Sequence, residues 1–384
     1  MSRLIDFAPV RLGVAGLGRA GMFHIERIGL RDDCRVVAAY DDCPAARNRA
    51  AHQAFVNHAN WNEFLRNDEV ELVLIAAPPA LHAELSIAAL AAGKHVLIET
   101  PMCLNVQESD AIIAAARRTV RSVCVAQTRR WDDDFRTAQA TLAAGALGAA
   151  QAIKLINWQY NPRWCNGRPH NAPGTAGQAI RAEVAPGSDI PVDNWRNAAA
   201  TGGGVLWEFG IHYFDQLLLL AGRAVESVYA RLAPASSACC GEDTFLAIIG
   251  FSGGLTAHVE VSRTAPAPLS TGWMIAGLCG SYAGFTQYLP TPDGEVADLP
   301  ALEVIDARRH GQEPLPCGSA PGTSLAGQAD GFYAQLVRHL RFGEPIPVAA
   351  EEARRTIALI EAVRESARSG QAISLNESET VLIR

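Results

Sequence analysis

A glycine-rich turn at the end of an apolar strand constrains the fold of this chain more than any other feature. The stretch Gly13-Val-Ala-Gly16-Leu-Gly18-Arg-Ala-Gly21 closes the apolar run Val10 to Ala15 and opens a predicted helix. At this spacing Gly16 permits a tight turn, Gly18 lets the backbone approach a pyrophosphate, and Gly21 lets helix and strand pack closely. The helix N-terminus would face that anion. The pattern predicts a dinucleotide-binding turn built from Gly16, Gly18, Arg19, Ala20 and Gly21.

An acidic residue after the next predicted strand indicates which dinucleotide is bound. Asp41 follows the strand Arg35 to Tyr40 and lies 23 residues after Gly18. A carboxylate there accepts hydrogen bonds from ribose hydroxyls and repels a 2′-phosphate, and Asp42 adds to the repulsion. The sequence therefore favours NAD over NADP, with NADP as the alternative because Arg47 lies nearby.

The first 130 residues alternate short apolar runs with helix-like stretches. Continuous apolar runs are typical of buried parallel strands, and their alternation with helices indicates a doubly wound sheet. We therefore predict an α/β chain whose residues 1–130 form a dinucleotide-binding Rossmann domain. Its predicted strands are Val10 to Ala15, Arg35 to Tyr40, Glu71 to Ala77, His95 to Glu99 and Val123 to Gln127.

The pattern changes after this point, and residues 131–384 are predicted to form a second, α+β domain. Its strand-like segments are joined by turn signals such as Ser252-Gly253-Gly254, which indicates a mostly antiparallel sheet. Residues 327–370 are predicted to be helical, and these helices could pack back on the first domain. The predicted strands are Gln151 to Tyr160, Val225 to Leu232, Thr244 to Phe251, Leu255 to Arg263 and Gly272 to Leu278.

Composition excludes several classes of protein. A net charge of −7 argues against a general nucleic-acid binder. No apolar run is long enough to span a membrane, and the first residues lack a secretory signal. The nine cysteines show no metal-ligand spacing, so we expect reduced thiols in a cytoplasmic protein. Lys94 and Lys154 are the only lysines, which leaves two candidates for any amine-based chemistry.

Several further motifs resemble one known family. They are Ala77 to His82, Ala91 to Pro101, Arg129-Arg130-Trp131, Asp193 to Arg196, Gly202 to Asp215, Phe342 to Pro345 and Ser366 to Gly370. Together they resemble the glucose–fructose oxidoreductase/inositol dehydrogenase (Gfo/Idh/MocA) family over nearly the whole chain. The resemblance implies a Rossmann domain followed by a domain with a large open-faced sheet, which often mediates oligomerisation. It also implies oxidation or reduction of sugars and cyclitols with a nicotinamide cofactor, and a homo-oligomer.

The resemblance also implies residues near the cofactor. The loop after the third predicted strand, with Ala77, Pro78 and His82, would contact the cofactor, and Glu99 would lie near the nicotinamide. Gln127, at the end of the fifth strand, could face the same region. Each residue has a structural alternative. His82 could be a packing histidine, Glu99 a buried structural acid, and Gln127 a residue that satisfies the end of its strand.

Thr100 departs from the family pattern, which has a lysine at this place. A threonine hydroxyl forms hydrogen bonds but carries no charge, so it cannot lower the pKa of a nearby alcohol or histidine electrostatically. Lys94 precedes its strand, at the edge of the sheet where open α/β sheets do not place ligands. Lys154 is expected to be a solvated surface residue. We assign Thr100 the role of holding a substrate hydroxyl.

A histidine and two acids share a predicted helix face in the second domain. His212 follows Glu208 by four residues, and Asp215 follows His212 by three, so the three lie close on a helix. Oxidising an alcohol needs a base for the hydroxyl proton, and a histidine near neutral pKa suits this role. We expect His212 to be the acid/base and Glu208 to orient it. A metal site formed by these residues is the weaker alternative because no further ligands are evident.

Substrate contacts are predicted from aromatic and polar residues in and around the loop that follows Tyr160. Aromatic faces with polar groups suit a sugar, and structural packing is the alternative for Trp195. The candidate substrate residues are Tyr160, Trp164, Trp195 and Asp215. The leading hypothesis is an NAD-dependent oxidoreductase acting on a sugar-like or cyclitol-like substrate. The alternatives are a non-catalytic sensor that binds NAD and a sugar, and an enzyme that keeps NAD tightly bound and runs internal redox steps.

Overall fold

The computed structural model describes residues 8–160, 201–233, 241–283, 303–306, 315–316 and 325–375. The chain divides into two compact units. The first consists of Met1–Trp131 with Ser324–Ile357, and the second of Asp132–Thr323 with Ala358–Arg384. The division assigns the two parts of the last long helix to different units.

A six-stranded parallel sheet forms the centre of the first unit. Its order is β3-β2-β1-β4-β5-β6, so the strand order reverses between β1 and β4. All four residues of β4 are buried, as expected for a strand covered on both faces. The predicted doubly wound sheet is thus confirmed, with one additional edge strand, β3. The strands are β1 Val10–Ala15, β2 Cys34–Tyr40, β3 Val56–His58, β4 Leu72–Ile75, β5 His95–Ile98 and β6 Val123–Val125.

Helices connect these strands and complete the unit. The longest connecting helix, α5, begins after Asn105, whose side chain accepts a hydrogen bond from the backbone N–H of Glu108 at 2.8 Å. This contact satisfies one of the free N–H groups of the first turn. The helices are α1 Arg19–Ile28, α2 Pro44–Arg49, α3 Trp61–Leu65, α4 His82–Ala91, α5 Val106–Thr119, α8 Leu325–Phe342 and the first turns of α9 Ala350–Ser369.

A ten-stranded sheet forms the centre of the second unit. Among its described strands, β7 and β10 pair in parallel and every other pairing is antiparallel, which confirms a mostly antiparallel sheet. Strands β8 to β10 alternate buried and accessible residues, so one face of the sheet carries the core. The strands are β7 Ala150–Tyr160, β8 Val225–Ala233, β9 Thr244–Phe251, β10 Thr256–Ser262, β11 Thr264–Ser270, β12 Met274–Gly277, β13 Gly280–Ala283, β14 Glu303–Asp306, β15 Leu315–Pro316 and β16 Ile373–Ser374.

The helices of the second unit include an unusual wide turn. Helix α6 spans Asp133–Ala143, and α7 spans Ile211–Ala221 after a π-helical turn at Leu206–Gly210. Single π-turns inside α-helices occur frequently at functional sites. Within the described part of the chain, no helix has the length and apolar character needed to cross a bilayer.

Candidate functional site

The glycine turn of the first unit is built around two positions that exclude a side chain. Gly16 has a φ of +101°, and a methyl group on it would lie 2.6 Å from the carbonyl oxygen of Ala76. A methyl group on Gly21 would lie 1.9 Å from the carbonyl oxygen of Gly16. Gly18 differs, because a methyl group there would meet nothing within 4 Å. The turn therefore packs tightly at Gly16 and Gly21 and leaves open space at Gly18.

Open space at Gly18 coincides with the N-terminus of α1. Gly18 is the N-cap residue, and no side chain caps the helix there. The first N–H groups of an α-helix have no partner inside the helix, and they attract anions. Arg19 is exposed and Ala20 half-buried at the same turn. This arrangement has the free donors and the space that a pyrophosphate requires.

Asp41 is fixed beside the glycine turn. Its Oδ2 accepts a hydrogen bond from the backbone N–H of Leu17 at 2.7 Å, and its Oδ1 accepts one from Cys43 at 2.9 Å. A carboxylate has about four acceptor positions, so two remain for ribose hydroxyls. Nη1 of Arg47 donates to the carbonyl oxygens of Asp41 and Asp42, at 2.6 and 2.9 Å. The structure thus places the predicted acid and the glycine turn together.

His82 joins two loops at the carboxyl ends of β4 and β5. Its Nε2 contacts the carbonyl oxygen of Ala77 and its Nδ1 that of Pro101, each at 2.8 Å. The ring is buried, and burial lowers its pKa against the opposing effect of these two carbonyls. Both ring nitrogens therefore face the backbone. His82 therefore holds the Ala77–Pro78 loop against the loop that follows β5.

Glu99 belongs to a buried network that the sequence did not reveal. One carboxylate oxygen contacts Nε2 of His24, whose Nδ1 contacts the hydroxyl of Tyr333. The other oxygen accepts from the backbone N–H of Thr100 at 2.9 Å. His24 and Tyr333 are buried, and burial raises the pKa of Tyr333 well above its ordinary value. A histidine three residues after Gly21, on the buried face of α1, was the available signal.

The parallel sheet brings the predicted cofactor residues of the first unit to one edge. Gly16 follows β1, Asp41 follows β2, Ala77 follows β4 and Glu99 follows β5. Carboxyl ends of parallel strands share one edge, which is where open α/β sheets bind ligands. Gln127, two residues after β6, is at the same edge and is buried. Thr100 is half-buried beside Glu99.

In the second unit, Glu208 and His212 share a partly accessible stripe. Glu208 lies in the π-turn and His212 at the start of α7, and both are half-buried. Their helical neighbours are mostly buried, and Asp215 is only 2 % exposed. The side chains of Glu208 and His212 can therefore be reached from outside the second unit, whereas Asp215 is buried.

Arg263 binds the acid that was predicted to orient His212. Its Nη1 donates to Oε2 of Glu208 at 2.8 Å, and its Nη2 lies 3.6 Å from Oδ1 of Asp243. The side chains of Arg263 and Asp243 are 5 % and 1 % exposed. Sequence reasoning missed this pairing because Arg263 follows β10, more than fifty residues from Glu208. Part of the negative charge of Glu208 is therefore already balanced.

Glu242 anchors the start of the same helix. Its Oε1 accepts from the backbone N–H of Leu206 at 2.8 Å, and its main-chain oxygen accepts from Val205 at 2.9 Å. Gly204 has a φ of +101°, and a methyl group on it would lie 2.4 Å from Oε1 of Glu242. The glycine run before the helix thus makes room for a buried carboxylate, whose pKa is raised by burial.

The remaining substrate candidates lie on β7 or outside the described residues. Tyr160 is the last residue of β7, and Lys154 on the same strand is exposed. Trp164 and Trp195 lie outside the described residues. No cluster of three or more potential metal ligands occurs among the residues that the structure describes.

Comparison with protein families gives two matches in order along the chain. Residues 10–127 match the Gfo/Idh/MocA model, described as an oxidoreductase family with an NAD-binding Rossmann fold. Residues 135–283 match the C-terminal domain model of the same family.

Individual relatives are similar to this chain in sequence or in fold. Scyllo-inositol 2-dehydrogenase (NADP(+)) IolW of Bacillus subtilis is 25% identical over 95% of this chain and 96% of its own. Myo-inositol 2-dehydrogenase of Thermotoga maritima is 26% identical over 67% of this chain and 69% of its own. The WlbA dehydrogenase of Bordetella pertussis, solved with NADH and UDP-GlcNAcA, superposes with a TM-score of 0.75. That superposition covers 96% of this chain and 99% of that one, at 20% identity.

Proposed function

Because this chain belongs to the Gfo/Idh/MocA family of oxidoreductases, we propose that it transfers hydride between NAD and a hydroxyl-bearing carbon of a sugar-like or cyclitol-like substrate. The observation that carries the proposal is the glycine turn with Asp41 at the carboxyl edge of the sheet. The names of two relatives, both inositol dehydrogenases, support a cyclitol or related polyol as substrate.

Preference for NAD over NADP follows from Asp41. A fixed carboxylate accepts the 2′-hydroxyl of the adenosine ribose and repels a phosphate at that position. Nη1 of Arg47, the nearby cation that would favour NADP, donates to two carbonyl oxygens. The relative from Bacillus subtilis carries NADP(+) in its name, and the preference proposed for this chain differs from that name.

In the proposed reaction His212 is the acid/base. The glycine turn and Asp41 would hold NAD, which would supply the acceptor for the hydride of the substrate carbon. His212 takes the hydroxyl proton as the carbonyl forms, and returns it in the reverse direction. Glu208 supports the imidazolium while it also pairs with Arg263. Thr100 holds a substrate hydroxyl through its own hydroxyl group, and Glu99 and Gln127 lie near the cofactor.

Substrate contacts are proposed for Tyr160, Trp164 and Trp195, since aromatic faces suit a polyol. Asp215 is withdrawn from the predicted substrate residues because it is buried. A second candidate function is a non-catalytic sensor that binds NAD and a sugar-like ligand. The absence of a lysine at Thr100 favours this second candidate, because no charge there assists the loss of a hydroxyl proton.

We further propose a cytoplasmic homo-oligomer that assembles through the ten-stranded sheet. Five cysteines among the described residues are all free thiols, which fits a reducing compartment. Ile248 on β9 is 41 % exposed on the face of the sheet opposite the core. Light scattering of the purified protein, with Ile248→Glu as the variant, tests the assembly.

The test of the proposed function is NAD⁺ reduction with a panel of inositols and sugars. Loss of a general base costs about 10² to 10⁴ in rate, so His212→Ala should reduce turnover at least a hundredfold. NADH affinity should stay unchanged. The matched control is His258→Ala, which removes another half-buried histidine of the same unit.

Turnover that is equal in His212→Ala and His258→Ala would contradict the role of His212. NADH binding without turnover on any member of the panel, followed by turnover in Thr100→Lys, would favour the sensor.

A further inference from the structure

The first unit contains a cavity at the edge of its sheet opposite the glycine turn. It has a volume of about 250 Å³ and lies at the amino ends of β4 and β5, beside the end of α8. Five polar or charged residues line it, together with smaller and apolar groups. These five are Glu71, Lys94, His95, Arg121 and Arg341.

The charges of this cavity do not balance. Three cations, Lys94, Arg121 and Arg341, face one carboxylate, Glu71, which leaves two positive charges in excess. Glu71 has its oxygens occupied, because Nη2 of Arg341 donates to it at 2.7 Å and Nη2 of Arg11 at 3.0 Å. Glu71 therefore has little capacity left to neutralise the other two cations.

Lys94 is held in the wall of the cavity by neutral acceptors. Its Nζ donates to the carbonyl oxygens of Asn67 and Val70, each at 2.9 Å. An ammonium group has three N–H donors, so one remains. These contacts position the charge without cancelling it, and the carboxylate of Asp68 acts on Lys94 from outside the residues that line the cavity.

His95 presents a defined N–H donor. The backbone N–H of Ser122 donates to its Nδ1 at 3.1 Å, which places the ring proton on Nε2. Burial, with the charges of Arg121 and His339, lowers the pKa of His95 to about 4, so the ring is neutral at pH 7. In the part of the chain that the structure describes, no residue accepts a hydrogen bond from Nε2.

Arg121 supplies the remaining free group. It lies two residues before β6 and is exposed, and no described residue pairs with its guanidinium. Guanidinium groups bind carboxylates and phosphates with two parallel hydrogen bonds. We infer that this cavity binds a small oxyanion, a phosphate or a carboxylate group, between Arg121, the Nε2–H of His95 and the ammonium of Lys94.

The experiment is a calorimetric titration with inorganic phosphate at constant ionic strength, with saturating NADH present to occupy the dinucleotide site. One anion should bind per chain. Arg121→Ala should weaken binding about tenfold, since a charge-assisted hydrogen bond is lost. Arg118→Ala, an exposed arginine on α5 outside the cavity, is the matched control and should bind like the unaltered protein.

A second readout locates the anion. The ring signals of His95, assigned with His95→Gln, should shift over the same phosphate range in the unaltered protein and in Arg118→Ala, and only at about tenfold higher phosphate in Arg121→Ala. A parallel titration with succinate distinguishes phosphate from carboxylate as the preferred group.

Two results would overturn the site. One is absence of binding by either anion, and the other is equal binding by Arg121→Ala and Arg118→Ala. Neither result depends on turnover or on NADH affinity. If the protein fails to bind NADH, the contrast between the two arginine variants still decides the question.

Discussion

The glycine turn of the first unit and the His212 helix of the second are built by different means. At the turn, backbone groups set the geometry, because Gly16 and Gly21 leave no room for a side chain and Asp41 is fixed by two backbone N–H groups. At the helix, buried charges set it. Arg263 joins Glu208 to Asp243, and the carboxylate of Glu242 holds the first turn.

This difference decides what a single sequence can reveal. A backbone constraint leaves a local trace in the sequence, since glycine readily adopts a φ near +100° and lacks the Cβ atom that would lie 1.9 Å from the carbonyl oxygen of Gly16. A charge pair between distant segments leaves none. We therefore expect that added side-chain atoms destabilise the glycine turn of the first unit, and that removal of a charge destabilises the His212 helix of the second.

The largest expected effect is in the second unit. Arg263→Met should lower the free energy of unfolding by about 3 kcal/mol, because it leaves the buried carboxylate of Asp243 without its cation. Urea denaturation measures this. Asp243→Asn in the same background should restore part of the loss. Arg117→Ala is the control, since that exposed pair with Glu351 is worth at most about 1 kcal/mol. Equal losses in both variants would contradict the electrostatic account.

A steric effect of intermediate size is expected in the first unit. Gly21→Ala should lower the free energy of unfolding by about 2 kcal/mol, because its methyl group collides with the carbonyl oxygen of Gly16. Gly18→Ala meets no atom, so it should cost no more than about 1 kcal/mol.

Both variants should bind NADH more weakly, about tenfold for Gly18→Ala, because its methyl group would keep the pyrophosphate from the backbone. Thermal unfolding with NADH titration separates the two effects. A Gly21→Ala protein as stable as Gly18→Ala would show that the turn relaxes.

The smallest effect concerns pH. Burial raises the pKa of Glu242 above its ordinary value of 4.5, so the folded state holds a proton that the unfolded state releases. Stability from this group is present at low pH and is lost as pH rises from about 4.5 through the raised pKa. Glu242→Gln removes this titration and keeps the acceptor for Leu206. The free energy of unfolding of Glu242→Gln, relative to that of the unaltered protein, should therefore increase as the pH rises from about 4.5 through the raised pKa. Urea denaturation at several pH values checks this. A constant difference would contradict the assignment.

Strand prediction succeeded where strands are buried and failed at the edges. The five predicted strands of the first unit are found within a few residues, because each is a continuous apolar run. Strand β3, Val-Asn-His, was missed since it is short and polar and lies at the sheet edge. In the second unit Thr264–Ser270, which contains two prolines, gave no alternating pattern.

Site prediction followed the same division. The structure places Gly16, Asp41, Glu99 and Gln127 at one sheet edge, as the strand pattern implied. Three contacts in the candidate site join residues that are distant along the chain, and no local sequence pattern predicts such contacts. These are His24 and Tyr333 behind Glu99, Arg263 beside Glu208, and the contact of His82 with the carbonyl oxygen of Pro101.

The most direct test of the account is a fluorescence titration of nucleotide-free protein with NADH and with NADPH. The fixed carboxylate of Asp41 predicts that NADH binds at least about tenfold more tightly than NADPH. Asp41→Asn should reduce that preference. Tighter binding of NADPH, or no binding of either nucleotide by folded protein, would contradict the proposal of an NAD-dependent oxidoreductase.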